Sequence, residues 1–279
     1  MLRKIETYPI VIDRQQGGVS VLSKSLSMSN KARIALILVT ALVFITTITF
    51  AGPIDDCKEY SRLGIPGGQG KLLCRKGFLL AYSSKYKTPL WVIEHLTAEK
   101  AQGNLPIYNK FQTDPDLKEG ERAELDDYKD SGYDREQMAS AANMKWDQQA
   151  MMECFYLSNM VPHKDKRTNL ELEERIRNLA INRGALYIFA GPIYEDGVLK
   201  TIGRNKVAVP THLYKIIYDP YKVEAIAFIM PNEKANMADM AKYIVTIRDV
   251  ERKTGLNFLS NIDEQVQEVV KNRKVQGIW

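Results

Sequence analysis

Two apolar runs near the start of the main body constrain the fold of this chain most. Residues 72–82 and 90–96 are apolar stretches joined by a short polar segment that ends at Pro89. Runs of this length, bounded by turn residues, are typical of strands that pair as a hairpin. Further strand candidates follow at residues 185–190, 206–209, 212–218 and 225–230. The sequence therefore predicts a mixed or antiparallel sheet.

Helical segments are inserted between these strands without regular alternation. The predicted helices are residues 146–154, 170–182, 247–254 and 263–271. Gly184 and Gly255 follow two of them and are predicted C-terminal caps. Residues 98–132 are polar, carry several Pro and Gly residues, and predict a surface loop with one helical turn near residues 121–128. This order of elements predicts an α+β fold with helices flanking the sheet.

Residues 1–51 differ in composition from the rest. An almost unbroken apolar run at residues 34–50 follows Lys31 and Arg33 and ends in small residues, which is typical of a secretory leader. A leader counted from Met28 has ordinary length, so residues 1–27 are interpreted as an upstream extension. Residues 52–279 are then a single exported domain, periplasmic or secreted. Alternatively the run is an uncleaved membrane anchor, which holds the domain at the membrane but outside the cytoplasm.

Net charge does not indicate a nucleic-acid partner. The formal charge is +5, but residues 1–51 hold six of the 39 basic and two of the 34 acidic residues. The remainder, with 33 basic and 32 acidic residues, carries a charge of +1. Any claim about nucleic acid therefore has to come from particular residues.

Export would place the domain where disulfides persist. Cys57 and Cys74, 17 residues apart, are predicted to form a bridge, which leaves Cys154 unpaired. The sequence alone does not fix this connectivity. Cys154 lies beside two aromatic residues and is interpreted as a small buried apolar side chain.

A series of short blocks, in order along the chain, resembles the DNA/RNA non-specific endonuclease family. The blocks are residues 73–78, 89–92, 131–135, 155–160, 191–194, 209–212, 226–232 and 249–255. The resemblance extends over about residues 57–260. It implies an α+β domain with a ββα-metal motif, DNA or RNA as the partner, and Mg²⁺ as the cofactor. Dimers occur in this family, so a homodimer is a further expectation; a membrane partner is expected only if the leader is uncleaved.

The family's Asp-Arg-Gly-His motif supplies the histidine that deprotonates the attacking water. Here Asp134 and Arg135 match its first two residues, while Glu136 stands at the glycine and Gln137 at the histidine. A neutral amide cannot act as a general base. The resemblance therefore implies that phosphodiester hydrolysis is impaired or lost. In the alternative, a rearranged Mg²⁺-dependent endonuclease uses Glu136 or His163 as its base.

The metal ligands implied by the resemblance match unevenly. Leu172 and Glu173 fit the family's Leu-Glu pair, whose carboxylate orients water around the metal, and Asn169 is the candidate metal ligand. The segment between Asn159 and Glu173 is about three residues short of the family pattern. Asn169 has a second interpretation as the N-cap of the helix predicted to start at residue 170. His163 is predicted to be either a surface-loop residue or a substitute base or phosphate contact.

Overall fold

A seven-stranded antiparallel sheet forms the centre of the computed structural model, which describes residues 57–164, 167–195, 199–233 and 237–277. Its spatial order is β1-β2-β3-β6-β9-β10-β11. These strands are β1 (Lys71–Cys74), β2 (Leu79–Ser83), β3 (Thr88–Thr97), β6 (Ala185–Ile193), β9 (His212–Asp219), β10 (Glu224–Pro231) and β11 (Ile244–Val245). The predicted extension and leader over residues 1–51 lie outside the described residues.

Two small antiparallel ribbons accompany the sheet. In one, β4 (Asp134–Gln137) pairs with β5 (Met160–His163), and in the other β7 (Thr201–Ile202) pairs with β8 (Val207–Ala208). The α-helices are Lys58–Ser61, Ala98–Ala101, Leu125–Tyr128, Gln148–Glu153, Arg167–Arg183, Ile247–Thr254 and Glu264–Asn272. The α+β fold predicted from the order of elements is confirmed.

The sheet is covered on both faces because its strands alternate their side chains. On β3, Trp91 and Ile93 pack into a core with the last two helices, whereas Val92 faces the opposite core. The long helix Arg167–Arg183 covers part of that opposite face through Leu172 and other apolar side chains. The β4–β5 ribbon lies against this second face, which places it beside the long helix.

The apolar run at residues 72–82 is two strands and not one. The chain turns between β1 and β2, where the Arg75 N–H donates to the Phe78 carbonyl at 2.8 Å. Gly77 allows this turn to press against its neighbours, since a Cβ there would lie 2.2 Å from the Met144 sulfur. The prediction missed the break, although Arg75, Lys76 and Gly77 interrupt the apolar run and are typical of a turn.

The long loop at residues 98–132 is held down by a buried ion pair. The Arg75 guanidinium donates to both carboxylate oxygens of Asp114, at 2.7 and 2.6 Å, and the Asp114 side chain is fully buried. The predicted helical turn is present as the helix Leu125–Tyr128. The loop is therefore anchored near its middle, and the buried residues Leu117, Ala123 and Asp127 hold it at further points.

Two local predictions were wrong. The long helix begins at Arg167, three residues before the predicted start, so Asn169 lies in its first turn and is not its N-cap. His163 is not a loop residue: it ends β5 and is 4% exposed. Both errors have one cause, because β5 and the helix are separated by less chain than the polar composition suggested.

The predicted Cys57–Cys74 disulfide is present, with a Cα–Cα distance of 5.8 Å. It joins the start of the helix Lys58–Ser61 to β1. Cys154 is a free, buried cysteine, and burial raises the pKa of its thiol well above the usual range. No helix in the described segments is long and apolar enough to cross a bilayer.

Candidate active site

The β4–β5 ribbon and the long helix Arg167–Arg183 enclose a cleft of about 450 Å³. In the ribbon, Arg135 lies opposite Pro162, and Gln137 lies opposite Met160. Aromatic and apolar side chains of the long loop form the other wall of the cleft. Its main lining residues are Ile107, Phe111, Arg135, Glu136, Gln137 and Glu173. The structure thus brings together four of the residues singled out from the sequence.

Gln137 is held by backbone groups. Its amide nitrogen donates to the Cys154 carbonyl oxygen at 3.0 Å and lies 3.5 Å from the Cys154 sulfur. Its amide oxygen accepts a longer hydrogen bond, 3.4 Å, from the Ala141 N–H. Both ends of the amide therefore act as structural hydrogen-bonding groups at the base of the cleft.

Arg135 presents a cation to the cleft on an aromatic support. Its guanidinium carbon lies 4.3 Å from the centre of the Phe111 ring and 6.0 Å from that of Tyr128. The negative faces of these rings favour a cation in this position. A guanidinium fixed in this way is suited to a phosphate group, which it can bind through two parallel hydrogen bonds.

Glu173 closes the cleft from the long helix. Its side chain is 8% exposed. One carboxylate oxygen accepts a hydrogen bond from the Ser140 hydroxyl, and the other lies 3.3 Å from the Lys215 ammonium. Ser140 comes just after β4, so this contact ties the ribbon to the helix. Lys215 approaches from β9 in the central sheet.

Lys215 is the centre of a buried group of charges. Burial opposes its charge, but Glu173, Glu94 and Glu136 together raise the pKa of its ammonium above the ordinary value. Glu94 is 2% exposed, and burial raises the pKa of its carboxyl to about 7 although Asn143 donates to it at 2.9 Å. One buried ammonium therefore faces three carboxylates, two of which line the cleft.

Three predicted site residues occupy other positions. Asp134 is exposed at the end of the ribbon, opposite His163 in the strand register. His163 is buried and is not among the described residues that line the cleft. Asn169 is the third residue of the long helix, four positions before Glu173, but its side chain lies outside the described part.

Glu94, Lys215, Ser140 and Asn143 were missed from the sequence. Glu94 and Lys215 had a usable signal, since each is a charged residue inside an otherwise apolar strand. Long charged side chains are rarely fully buried unless they are paired. A search for charged residues inside predicted core strands would have found both.

Comparison with known proteins assigns the chain to a family. The family model described as DNA/RNA non-specific endonuclease matches residues 58–265. The chain belongs to the DNA/RNA non-specific endonuclease family. It is 34% identical over 221 residues to the mitochondrial endonuclease G of Homo sapiens, covering 73% of this chain and 74% of that protein. It is also 34% identical over 221 residues to nuclease C1 of Cunninghamella echinulata var. echinulata, covering 72% of this chain and 88% of that protein.

A solved structure supports the same assignment. The chain resembles a chain in the crystal structure of the EndoG/EndoGI complex, which concerns the mechanism of EndoG inhibition, with a TM-score of 0.69 and 30% identity. The match covers 75% of this chain and 94% of that one. The family resemblance inferred from the ordered blocks is therefore confirmed, as is the fold that it implied.

Members of this family are metal-dependent nucleases, and a metal ion in the cleft would need ligands from the residues that line it. Among the described residues no group of three or more His, Cys, Asp or Glu side chains has the arrangement of a metal site. A hydrated Mg²⁺ needs less, because it is commonly held by one or two carboxylates and keeps several waters. Glu173 and Glu136 on the cleft wall supply oxygen donors of that kind. The donor set fits a hydrated hard cation and not a fully protein-bound one.

Proposed function

We propose that this protein is an exported member of the family that binds DNA or RNA in the 450 Å³ cleft and hydrolyses phosphodiesters poorly or not at all. Gln137 stands where the family places its general base. A base must accept a proton, and a neutral amide does not do so near neutral pH. The loss of a general base typically lowers a rate by a factor of about 10² to 10⁴.

The observation that carries this proposal is the pair of hydrogen bonds made by the Gln137 amide. Its nitrogen donates to the Cys154 carbonyl and its oxygen accepts from the Ala141 N–H. The side chain serves the backbone around it and offers no free basic atom to a water in the cleft. Arg135, on its aromatic support, keeps the capacity to hold a phosphate. We therefore expect the protein to bind nucleic acid although its hydrolysis of phosphodiesters is impaired.

Mg²⁺ is the proposed metal, with Glu173 holding its water shell and Asn169 as the proposed direct ligand. When bound, the ion would supply positive charge to the scissile phosphate and the leaving oxygen. The protein's own contribution is positional: Ser140 and Lys215 fix the carboxylate of Glu173 at the cleft wall.

The second candidate function is an active Mg²⁺-dependent endonuclease with a rearranged site. It is favoured by one observation: Glu136 also lines the cleft and is 7% exposed. A carboxylate in such a place can act as a general base if a water reaches it. His163, buried at the end of β5, is the less accessible choice for the same role.

The disulfide supports the proposed location. Bridges such as Cys57–Cys74 persist in oxidising compartments and are rare where thiols are kept reduced. We therefore propose a periplasmic or secreted protein, with the membrane-anchored form as the alternative. Mass spectrometry of the mature N-terminus tests this, since a chain that begins near Gly52 has no anchor.

Plasmid nicking tests the main proposal. The purified protein is incubated with supercoiled plasmid in Mg²⁺ or in EDTA, beside the double variant Glu136→Gly/Gln137→His. We expect little cleavage by the unmodified protein and Mg²⁺-dependent cleavage by the double variant. Robust Mg²⁺-dependent cleavage by the unmodified protein would overturn the proposed impairment and support the second candidate.

Two controls make the result specific. Gln149→His introduces the same side chain at an exposed position of the helix Gln148–Glu153, outside the cleft, and is expected to add no cleavage. Glu136→Gln in the unmodified background separates the candidates, because it abolishes any cleavage that depends on Glu136. An electrophoretic binding assay in EDTA reports nucleic-acid binding independently of cleavage.

A further inference from the structure

A second groove, of about 290 Å³, lies beside the residue that precedes β4. Two lysines, one glutamate and two tyrosines supply its charged and aromatic lining: Tyr133, Lys164, Tyr194, Glu195 and Lys200. None of these residues belongs to the cleft described above. The groove is therefore a separate site from the cleft that holds Gln137 and Glu173.

The described residues that line the groove carry excess positive charge. Among them the one carboxylate, Glu195, is engaged by the Lys253 ammonium at 2.7 Å, and His212 also lies 3.7 Å from it. Within the described segments, no carboxylate lies in ion-pair distance of the Lys164 or Lys200 ammonium. Both lysines are exposed. The groove thus suits an anionic ligand.

Hydrogen bonds of the Asn232 side chain hold the backbone on one side of the groove. The Asn232 amide nitrogen donates to the carbonyls of Pro162 and Pro210, at 2.9 and 2.8 Å. The Asn232 amide oxygen accepts from the Lys164 N–H at 3.2 Å. One side chain therefore joins the end of β5 to the segment that leads into β9. These hydrogen bonds hold the backbone of Lys164 in place beside the groove.

Aromatic packing connects this groove to the main cleft. The Lys200 ammonium lies 5.0 Å from the centre of the Tyr133 ring, as Arg135 lies over Phe111 in the cleft. Tyr133 and Phe111 pack against the same buried cluster, which includes Tyr128. Tyr133 is also only two residues before Arg135, or about 7 Å along an extended chain. The groove and the cleft are therefore neighbouring sites.

We infer that the groove binds the part of a single nucleic-acid strand that extends beyond the main cleft. A base displaces the exposed Lys200 side chain from the Tyr133 ring and stacks there, and Lys200 and Lys164 contact the adjoining phosphates. Aromatic rings and cations that alternate along a groove are the usual means of holding single strands without sequence preference. This inference rests on the proposed function, because it extends the same nucleic-acid contact.

Fluorescence anisotropy with labelled oligo-dT in EDTA tests the inference without any cleavage. Oligonucleotides of about 4, 8 and 12 nucleotides cover the range from the cleft alone to the cleft and the groove together. The unmodified protein is expected to gain affinity with length. Tyr133→Ala should weaken binding of the longest oligonucleotide about fivefold or more and leave the shortest unchanged, because the stacked base is lost. Tyr133→Phe should restore the full affinity.

Lys200→Glu adds a measurement of charge. The salt dependence of binding is expected to become shallower, by about 0.7 in the slope of log K against log salt for each phosphate that the variant no longer neutralises. Tyr221→Ala and Lys222→Glu are matched controls. Both exposed residues lie in the β9–β10 turn, which follows Asp219, whereas His212 is at the other end of β9. These two variants should bind every length as the unmodified protein does.

The outcomes separate the two proposals. If the unmodified protein binds DNA in the electrophoretic assay but binds no oligonucleotide, only this inference fails. If it binds neither, the proposed function fails as well. If it binds but Tyr133→Ala and Lys200→Glu match it at every length, only the groove assignment is overturned. A loss confined to Lys200→Glu would mean attraction by charge without stacking and would also overturn the assignment. Equal losses of affinity for short and long oligonucleotides would show a general effect on binding and not the loss of a second binding site.

Discussion

The Gln137 amide nitrogen and the Asn159 amide nitrogen donate to one acceptor, the carbonyl oxygen of Cys154, at 3.0 and 2.9 Å. Gln137 is partly exposed, whereas Asn159 is fully buried. The two amides therefore share an acceptor but differ in what their removal leaves unsatisfied.

Replacing Gln137 by Ala is expected to lower the free energy of unfolding by about 1 kcal/mol or less. The Cys154 carbonyl keeps its bond from Asn159, and water can reach the Ala141 N–H. Urea unfolding followed by circular dichroism measures the change. A loss of several kcal/mol would contradict this account of Gln137 as a replaceable structural donor.

Replacing Asn159 by Ala should cost more, about 2–4 kcal/mol, because buried polar groups are left without partners. Asn159 also accepts from the Ala139 N–H at 2.8 Å and donates to the Ala139 carbonyl at 2.9 Å. The same unfolding experiment compares Asn159→Ala with Gln137→Ala directly. Equal losses in the two variants would show that the Ala139 contacts contribute nothing.

Removing the disulfide with Cys57→Ser/Cys74→Ser is expected to cost about 3 kcal/mol, the effect of releasing a loop of this length in the unfolded chain. Dithiothreitol should destabilise the unmodified protein to a similar extent and leave the double variant unchanged. If the reductant lowered the melting temperature of the double variant as much, the effect would not come from this bridge.

The sequence predicted those elements whose signals are local. The helix Ile247–Thr254 was correct at both ends, since Thr246 and Asp249 form a capping box and Gly255 ends it with a positive φ of 70°. The strand His212–Asp219 extends the predicted one by a single residue. Apolar periodicity and capping residues act over a few positions, and a sequence displays them directly.

The parts that could not be predicted depend on contacts between distant residues. The anchoring of the long loop depends on Arg75 and Asp114, which are 39 positions apart. Within the site, the short motif located Arg135, Glu136 and Gln137, and the Leu-Glu pair located Glu173. Lys215 was missed because its partner lies 42 positions away, on a helix whose packing no local pattern specifies.

Replacing Asp114 by Ala is expected to cost about 3–5 kcal/mol, because it leaves the buried Arg75 guanidinium without its main partner. Asp116→Ala is the matched control: it removes a second carboxylate from the same guanidinium, but that side chain is 55% exposed. Its loss should cost less than about 1 kcal/mol. Thermal unfolding of both variants gives the comparison, and similar losses would contradict the importance assigned to burial.

Glu94 predicts a dependence of stability on pH. Burial raises the pKa of its carboxyl from 4.5 to about 7, so between these values the folded protein holds a proton that the unfolded chain releases. Its contribution to stability is therefore fully present below pH 4.5 and is lost as the pH rises through 7. The loss from this one group amounts to about 3 kcal/mol.

Glu94→Gln removes this titration while keeping a side chain of similar size. The free energy of unfolding of the variant, minus that of the unmodified protein, should increase by about 3 kcal/mol between pH 4.5 and 8. Urea unfolding at a series of pH values measures the difference. Glu99→Gln makes the same chemical change at an exposed position of the helix Ala98–Ala101 and serves as the matched control. A difference for Glu94→Gln that stayed constant over this range would mean that the Lys215 ammonium keeps Glu94 ionised throughout.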